Sequence, residues 1–225
     1  STTGTFYILW DDNANPSTAP AWNLAMPIFV TWEGILDHLI GLCIAAGAVV
    51  DIANVATEHD WCTRYYPQAW AWIITTLKAK YSGLKAVVQA AQGLTYTADT
   101  PTALQSVCDY ICISCYPIVG SATSGLAQST IDSGWTTAIS AAALSAWSTA
   151  VGLPVLFGEV GARSISHAYS YGSASGFAQG VDPAPDQASF VQGMFNSLAS
   201  AAWWAGFCWW NRTRSWPRRF GLDSR

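Results

Sequence analysis

Charge is scarce in this chain. Only 11% of its 225 residues are charged, against about 25% in an ordinary soluble domain. The formal balance is −4 and no basic stripe runs through the body of the sequence, so a nucleic-acid partner is not expected. Arg212, Arg214, Arg218 and Arg219 form a basic cluster at the tail that reads as a solvated end. Histidine is limited to His38, His59 and His167. With Asp60 these are the candidate ligands of a hydrolytic metal site, yet they lack the H-E-x-x-H spacing and do not cluster, so neither metal nor organic cofactor is expected. Long apolar runs are also missing. Gly, Asp or Pro interrupts each one, so no membrane span is expected. Residues 1–30 show no basic start followed by an apolar block, so a signal peptide is not expected either, and location stays open. No internal repeat or long linker divides the chain, which is read as one domain over residues 1–225.

What is abundant is apolar and aromatic. Hydrophobic residues make up 51%, with 13 Trp and 9 Tyr. That supports a large core, and aromatic rings also form the flat walls on which sugars stack. The six cysteines show no disulfide-framework spacing and several stand in apolar runs, where a thiol behaves as a small hydrophobe.

Short apolar runs alternate with helical stretches, the pattern of βα units around a parallel sheet. Thr5–Trp10 reads as a strand and residues 13–31 as a loop. Trp32–Ala48 reads as a helix, and Val49–Ala56 as a run ending in Thr57-Glu58. Pro67–Tyr81 is the next helix. Its following strand is either Leu84–Gln89 or Leu94–Ala98. Tyr110–Tyr116 is a strand halted by Pro117, residues 118–132 are a loop, and Trp135–Val151 is an Ala-rich helix. Pro154–Gly158 is a buried strand running into Glu159, residues 164–185 form a Ser/Gly/Pro loop, Gln187–Ala202 is helical, and Gly206–Trp210 is a last strand. These are about six βα units of a TIM-type barrel, whose complete form needs about 250 residues and gathers its active residues at the strand C-termini.

Glutamate is the scarcest acid. Only Glu33, Glu58 and Glu159 occur among 14 acidic residues. Glu33 falls near the expected start of a helix, where a negative side chain suits the macrodipole. Glu58 and Glu159 each close an apolar run. Two strand-end carboxylates can face each other across a barrel mouth. Retaining glycoside hydrolysis needs such a pair at about 5–5.5 Å, one as acid/base and one as nucleophile.

Several segments together resemble one family. Val155-Leu-Phe-Gly-Glu-Val-Gly-Ala-Arg-Ser164 resembles the seventh-strand motif of glycoside hydrolase family 113, a family of mostly endo-β-1,4-mannanases in the large clan of retaining (β/α)8 glycosidases. Ala56-Thr-Glu-His-Asp60 is similar to its fourth-strand segment, and Trp72–Gly83 to the helix that follows. Asp109–Pro117 is similar to its sixth strand, and Gln187 through Trp210 to its last helix and eighth strand. The resemblance implies a two-glutamate double displacement on a β-1,4 polysaccharide, mannan above all, with Glu58 as acid/base and Glu159 as nucleophile. It further implies that Tyr116 bonds the nucleophile, that Trp210 is the floor beneath the reacting sugar, and that Arg163 stands beside Glu159. Trp209 suits the floor less, because neighbouring strand residues point opposite ways. Asp60, two residues past Glu58, is placed among the supporting residues. Thr57 stands where clan members often carry Asn. Thr5–Trp10 aligns with the third strand, so strands three to eight are expected and the first two βα units are unaccounted for. An incomplete barrel of that kind leaves unpaired strand edges.

Two other classes compete. Cys108-x3-Cys112-x2-Cys115 matches formally the cluster motif of radical S-adenosylmethionine enzymes, which are often partial barrels. On a strand, however, Cys112 and Cys115 face opposite sides and could not grip one cluster. A non-catalytic sugar-binding barrel, or an inactive fragment, would share the aromatic content but has no need of a second carboxylate at reactive distance. Asn211-Arg-Thr213 has the form of an N-glycosylation acceptor.

Overall fold

The computed structural model describes residues 22–91, 102–121, 125–162 and 185–209. Five strands, β1 (Ile52–Thr57), β2 (Lys85–Ala90), β3 (Ile111–Cys115), β4 (Val155–Val160) and β5 (Trp204–Trp209), form one sheet in the order β1-β2-β3-β4-β5. Every neighbouring pair is parallel. The helices between them are α1 (Trp22–Ala45), α2 (Asp60–Tyr65), α3 (Pro67–Lys80), α4 (Thr102–Gln105), α5 (Gln128–Ala141), α6 (Leu144–Val151) and α7 (Pro185–Leu198). Sequential strands joined by helical crossovers are the units of a (β/α)8 barrel, here incomplete. The expected strand at Thr5–Trp10 lies outside the described residues, as does the alternative at Leu94–Ala98. The choice after α3 falls on β2.

Local chemistry explains most of the helices. Pro67 opens α3, where its missing N–H costs nothing, and Lys78 and Lys80 close it at the negative end of the dipole. Trp70, Ile73, Ile74 and Leu77 are fully buried on its inner face. On α5, Ile131, Trp135 and Ile139 recur every fourth residue and fill the core.

Three expectations need correction. The helix expected at Trp32–Ala48 begins at Trp22 and contains Pro27. Glu33 is therefore mid-helix, and the macrodipole argument for it does not apply. Packing outweighs the proline: Phe29 is 2% exposed and meets Tyr66 and Trp70 edge-on, with ring centroids 5.6 and 5.1 Å apart. Second, the loop expected over residues 118–132 gives way to α5 at Gln128. By length and composition alone, Met26–Ala45 within α1 is apolar enough to cross a bilayer, although Gly34, Asp37 and Gly41 interrupt it. In this fold α1 packs Phe29 and Ile40 into the core and leaves Val30, Leu39 and Leu42 exposed. Third, the Ala-rich helix is two. Ala143 adopts the left-handed conformation (φ 50°) and starts α6, which turns Leu144 and Trp147 inward.

The core on the helix side of the sheet divides in two. One cluster joins α1, α3, β1 and β2 around Trp70, Ile73 and Leu77. The other joins α5, α6, α7, β3 and β4 around Trp135, Phe157 and Phe190. Leu153 touches both. The seam between them runs along β2 and β3, which register only at Gln89↔Cys112 and Ala90↔Ile113. Asp109 bridges it, accepting hydrogen bonds from the Ala86 N–H at 2.8 Å and from Lys78 at 2.9 Å.

Candidate active site

Strand alternation decides which side chains enter the interior. On β3, Ile111, Ile113 and Cys115 pack into the helix-side core. Cys112 faces the other way with Val87 and Leu156, so Ser114 and Tyr116 also face inward. Cys112 and Cys115 do point to opposite faces. Burial pushes both thiols well above the ordinary value, as expected of inert core cysteines.

On β4 simple alternation would send Glu159 outward with Phe157. A β-bulge reverses this. Phe157 registers with Ile113 and Glu159 with Ser114, which leaves Gly158 as the extra residue. Phe157 and Val160 both face the helices, and Glu159 turns to the interior. Gly158 is fixed by crowding: an added Cβ would lie 2.6 Å from Cys112 Sγ and 2.8 Å from Gln89 Cδ. A second irregularity interrupts β1 at Val55, between Asn54 and Ala56, and the Trp32 indole N–H donates to the Val55 carbonyl at 2.8 Å. Thr57 then registers with Gln89.

Glu58 follows β1 with φ 58°. Left-handed backbone at a residue other than Gly costs about 1–2 kcal/mol and gathers at functional sites. Its N–H donates to the Gln89 carbonyl at 2.8 Å, and its Oε1 accepts from the Ser114 hydroxyl at 2.6 Å. Glu159 Oε2 accepts from the Tyr116 hydroxyl at 2.8 Å. Ser114 thus touches one carboxylate while its Cα is the register partner of the other. Burial, followed by the hydrogen bond to Glu159, pushes the Tyr116 phenol far above its ordinary value, and the Glu58 charge acts in the same direction. Tyr116 stays a neutral donor, within electrostatic reach of both carboxylates.

The structure therefore brings together Glu58, Glu159 and Tyr116. Asp60 sits apart at the start of α2, where its carboxylate accepts from the Ala91 N–H at 3.1 Å and lines a cavity of about 40 Å³ with Thr63, Arg64 and Cys108. None of Glu58, Ser114, Tyr116 or Glu159 lines that cavity. Trp209 packs against the helix-side core, away from the carboxylates. Trp210 and Arg163 lie outside the described residues, as does His167. His59 stacks near Trp70 with centroids 6.3 Å apart, and burial lowers its imidazole below the ordinary value. Among the described residues no three His, Cys, Asp or Glu side chains gather as a metal site.

Sequence reasoning missed Ser114, Gln89 and Asn54. Gln89 and Ser114 are each 1% exposed. Their signal was present: each is a polar residue at an inward position, Ser114 in an otherwise apolar strand and Gln89 in one whose other polar residue is the exposed Lys85.

A parallel βα sheet with two glutamates and a tyrosine at its strand C-termini has the architecture of a barrel glycosidase. The chain belongs to glycoside hydrolase family 113, whose sequence model matches residues 43–220. Among solved structures it is similar to the family 113 β-mannanase of Alicyclobacillus acidocaldarius, with TM-score 0.60 and 18% identity over 89% of this chain and 55% of that one. A family 113 β-1,4-mannanase solved as a complex aligns with TM-score 0.60 and 18% identity over 88% and 56%. The β-glucuronidase of Ruminococcus gnavus aligns with TM-score 0.56 and 11% identity over 88% and 31%. The chain thus spans just over half the length of the mannanases it matches. No curated protein matches it by sequence.

Proposed function

We propose that this chain carries the catalytic pair of a retaining glycoside hydrolase acting on a β-1,4-linked polysaccharide of the mannan type. The observation that carries the proposal is the shared setting of the two glutamates. Tyr116 donates to Glu159, Ser114 donates to Glu58 and registers with Glu159, and the Tyr116 phenol feels both charges. Two carboxylates converging on one reaction centre are what double displacement requires. Membership of family 113 and the likeness to β-mannanases support the substrate class.

Glu159 is the nucleophile. Its Oε2 is engaged by Tyr116, so Oε1 attacks the anomeric carbon as the glycosidic C–O bond breaks. Glu58 gives its proton to the departing oxygen. Glu58 then takes a proton from water, whose oxygen displaces Glu159 and restores the starting state. The resemblance to family 113 adds Trp210 and Arg163 to this reading as supporting residues.

The test is hydrolysis of mannan, glucan and xylan by the wild type and by Glu58→Gln and Glu159→Gln. Mannan turnover that falls at least about 10³-fold in Glu159→Gln supports the nucleophile assignment. Unchanged turnover removes it. Retention on immobilised mannan with no turnover in any variant would instead identify a sugar-binding barrel.

A further inference from the structure

Gln89 and Ser114 are polar side chains inside a neutral sheet, and their hydrogen bonds form a directed chain ending on Glu58. Asn54 Nδ2 donates to Gln89 Oε1 at 2.7 Å and to Thr57 Oγ1 at 3.0 Å. Gln89 Nε2 donates to Ser114 Oγ at 2.8 Å. Ser114 Oγ donates to Glu58 Oε1 at 2.6 Å. We infer that Ser114 is a positioning residue for Glu58 and that Gln89 sets the sense of its hydrogen bond, committing Glu58 Oε1 as acceptor and leaving Oε2 as the oxygen that exchanges the catalytic proton. This rests on the reading of Glu58 as the acid/base.

Donor arithmetic sets the direction of each bond. An amide NH2 only donates, so Ser114 must accept from Gln89. A serine hydroxyl has one proton, and it is left for Glu58. Asn54 uses its own NH2 on Gln89 Oε1 and Thr57, which fixes the orientation of the Gln89 amide with its oxygen towards Asn54 and its nitrogen towards Ser114. Both relay residues are shut off from solvent at 1% exposure, so water does not offer the Ser114 hydroxyl another partner. Gln89 also holds Glu58 from the backbone side, through its carbonyl at 2.8 Å from the Glu58 N–H. The acid/base is thus gripped twice by one residue of β2, once directly and once through β3. Gly158 confines the relay, because only a residue without Cβ leaves room beside the Gln89 amide.

Two measurements on the full chain test the inference. The first needs no turnover: the side-chain NH2 resonances of Gln89, followed by 15N NMR and assigned with Gln89→Met. They should move in Ser114→Ala and in Glu58→Gln, and stay in place in Glu159→Gln. Resonances unmoved by Ser114→Ala and Glu58→Gln overturn the relay, whatever the enzyme does. The second is kcat/KM on two substrates, a manno-oligosaccharide whose leaving group needs a proton and an aryl mannoside whose leaving group does not. Ser114→Ala and Gln89→Met should each lower the first about 10-fold or more while changing the second less than about 3-fold, because only proton delivery is disturbed. Equal losses on both substrates would mean a merely structural role and overturn the inference. If instead Glu58→Gln hydrolyses the oligosaccharide normally, the acid/base reading fails while the NMR result still judges the relay.

Discussion

Gly158→Ala adds a single methyl at the point where the bulge that carries Glu159 presses on the chain of hydrogen bonds from Asn54 through Gln89 and Ser114 to Glu58. The new Cβ would sit 2.6 Å from Cys112 Sγ and 2.8 Å from Gln89 Cδ, whereas carbon contacts settle near 3.5–4.0 Å, so neighbours must withdraw by about 1 Å. Cys112 is 3% exposed and Gln89 1%, and of the two Cys112 alone borders the cavity of about 40 Å³ beside Asp60. Overpacking of this kind costs about 1–3 kcal/mol. If Gln89 withdraws instead, its bonds to Asn54 and Ser114 are lost at about 1 kcal/mol each. Across the two routes the expected destabilisation is about 1–3 kcal/mol, read from urea unfolding, with a Tm lowered by roughly 2–12 °C for a domain of this size. Activity should fall about 100-fold, since a displacement near 1 Å at a reacting group is costly. Two controls make the reasoning specific. Gly34, in α1, has nothing within 4 Å of an added Cβ, and Gly34→Ala should stabilise by up to about 1 kcal/mol. In a Gln89→Ala background, which removes one of the two obstacles, Gly158→Ala should cost at least about 1 kcal/mol less. A Gly158→Ala variant within about 0.5 kcal/mol of wild type, or one equally costly in both backgrounds, would refute the argument.

The left-handed backbone at Glu58 inverts a usual preference: Glu58→Gly should be more stable than Glu58→Ala by about 1 kcal/mol in thermal or urea unfolding, although both lose the same carboxylate. Tyr116→Phe removes the hydroxyl that holds Glu159, a bond to a charged group worth about 1.5–3 kcal/mol, so kcat on mannan should fall roughly 10- to 100-fold with little change in fold by circular dichroism. Burial alone would raise the Asp109 carboxyl, but the Ala86 N–H, Lys78 and Lys85 outweigh it and hold it below its ordinary value of 3.8. A carboxylate depressed on folding contributes stability that is complete above that ordinary value and lost as pH falls through the lower folded value. Asp109→Asn should therefore destabilise by roughly 2 kcal/mol at pH 7, and the difference should shrink below about pH 4 in urea titrations.

Much of this arrangement could be read before any coordinates. The alternation of apolar runs with helices gives the parallel sheet, Pro117 marks the end of β3, and Glu58, Tyr116 and Glu159 lie at or next to strand C-termini. What escaped was tertiary in origin. Pro27 looked like a loop residue because sequence does not show that Phe29 will find Tyr66 and Trp70. The break at Ala143 lies in a run of alanines that carries no stop signal. The inward turn of Glu159 depends on a bulge whose sole mark is Gly158, and a strand glycine alone does not say which partner crowds it. Gln89 and Ser114 carry no sequence motif, and only their hydrogen bonds join them into one chain of donors.

The divided core bears on motion. Glu58 belongs to the block built on β1 and β2, and Glu159 to the block built on β3 and β4, so the two glutamates straddle the boundary between two packing units. Breathing of one block against the other would change the gap between the two carboxylates, and the short β2–β3 register offers little to resist it. Asp109 at the N-terminal end of that boundary, and the Gln89–Ser114–Glu58 bonds at the C-terminal end, act as two latches. Native-state hydrogen exchange should then show two cooperative units, and the spacing of Glu58 from Glu159 becomes a property of how firmly the halves are fastened together.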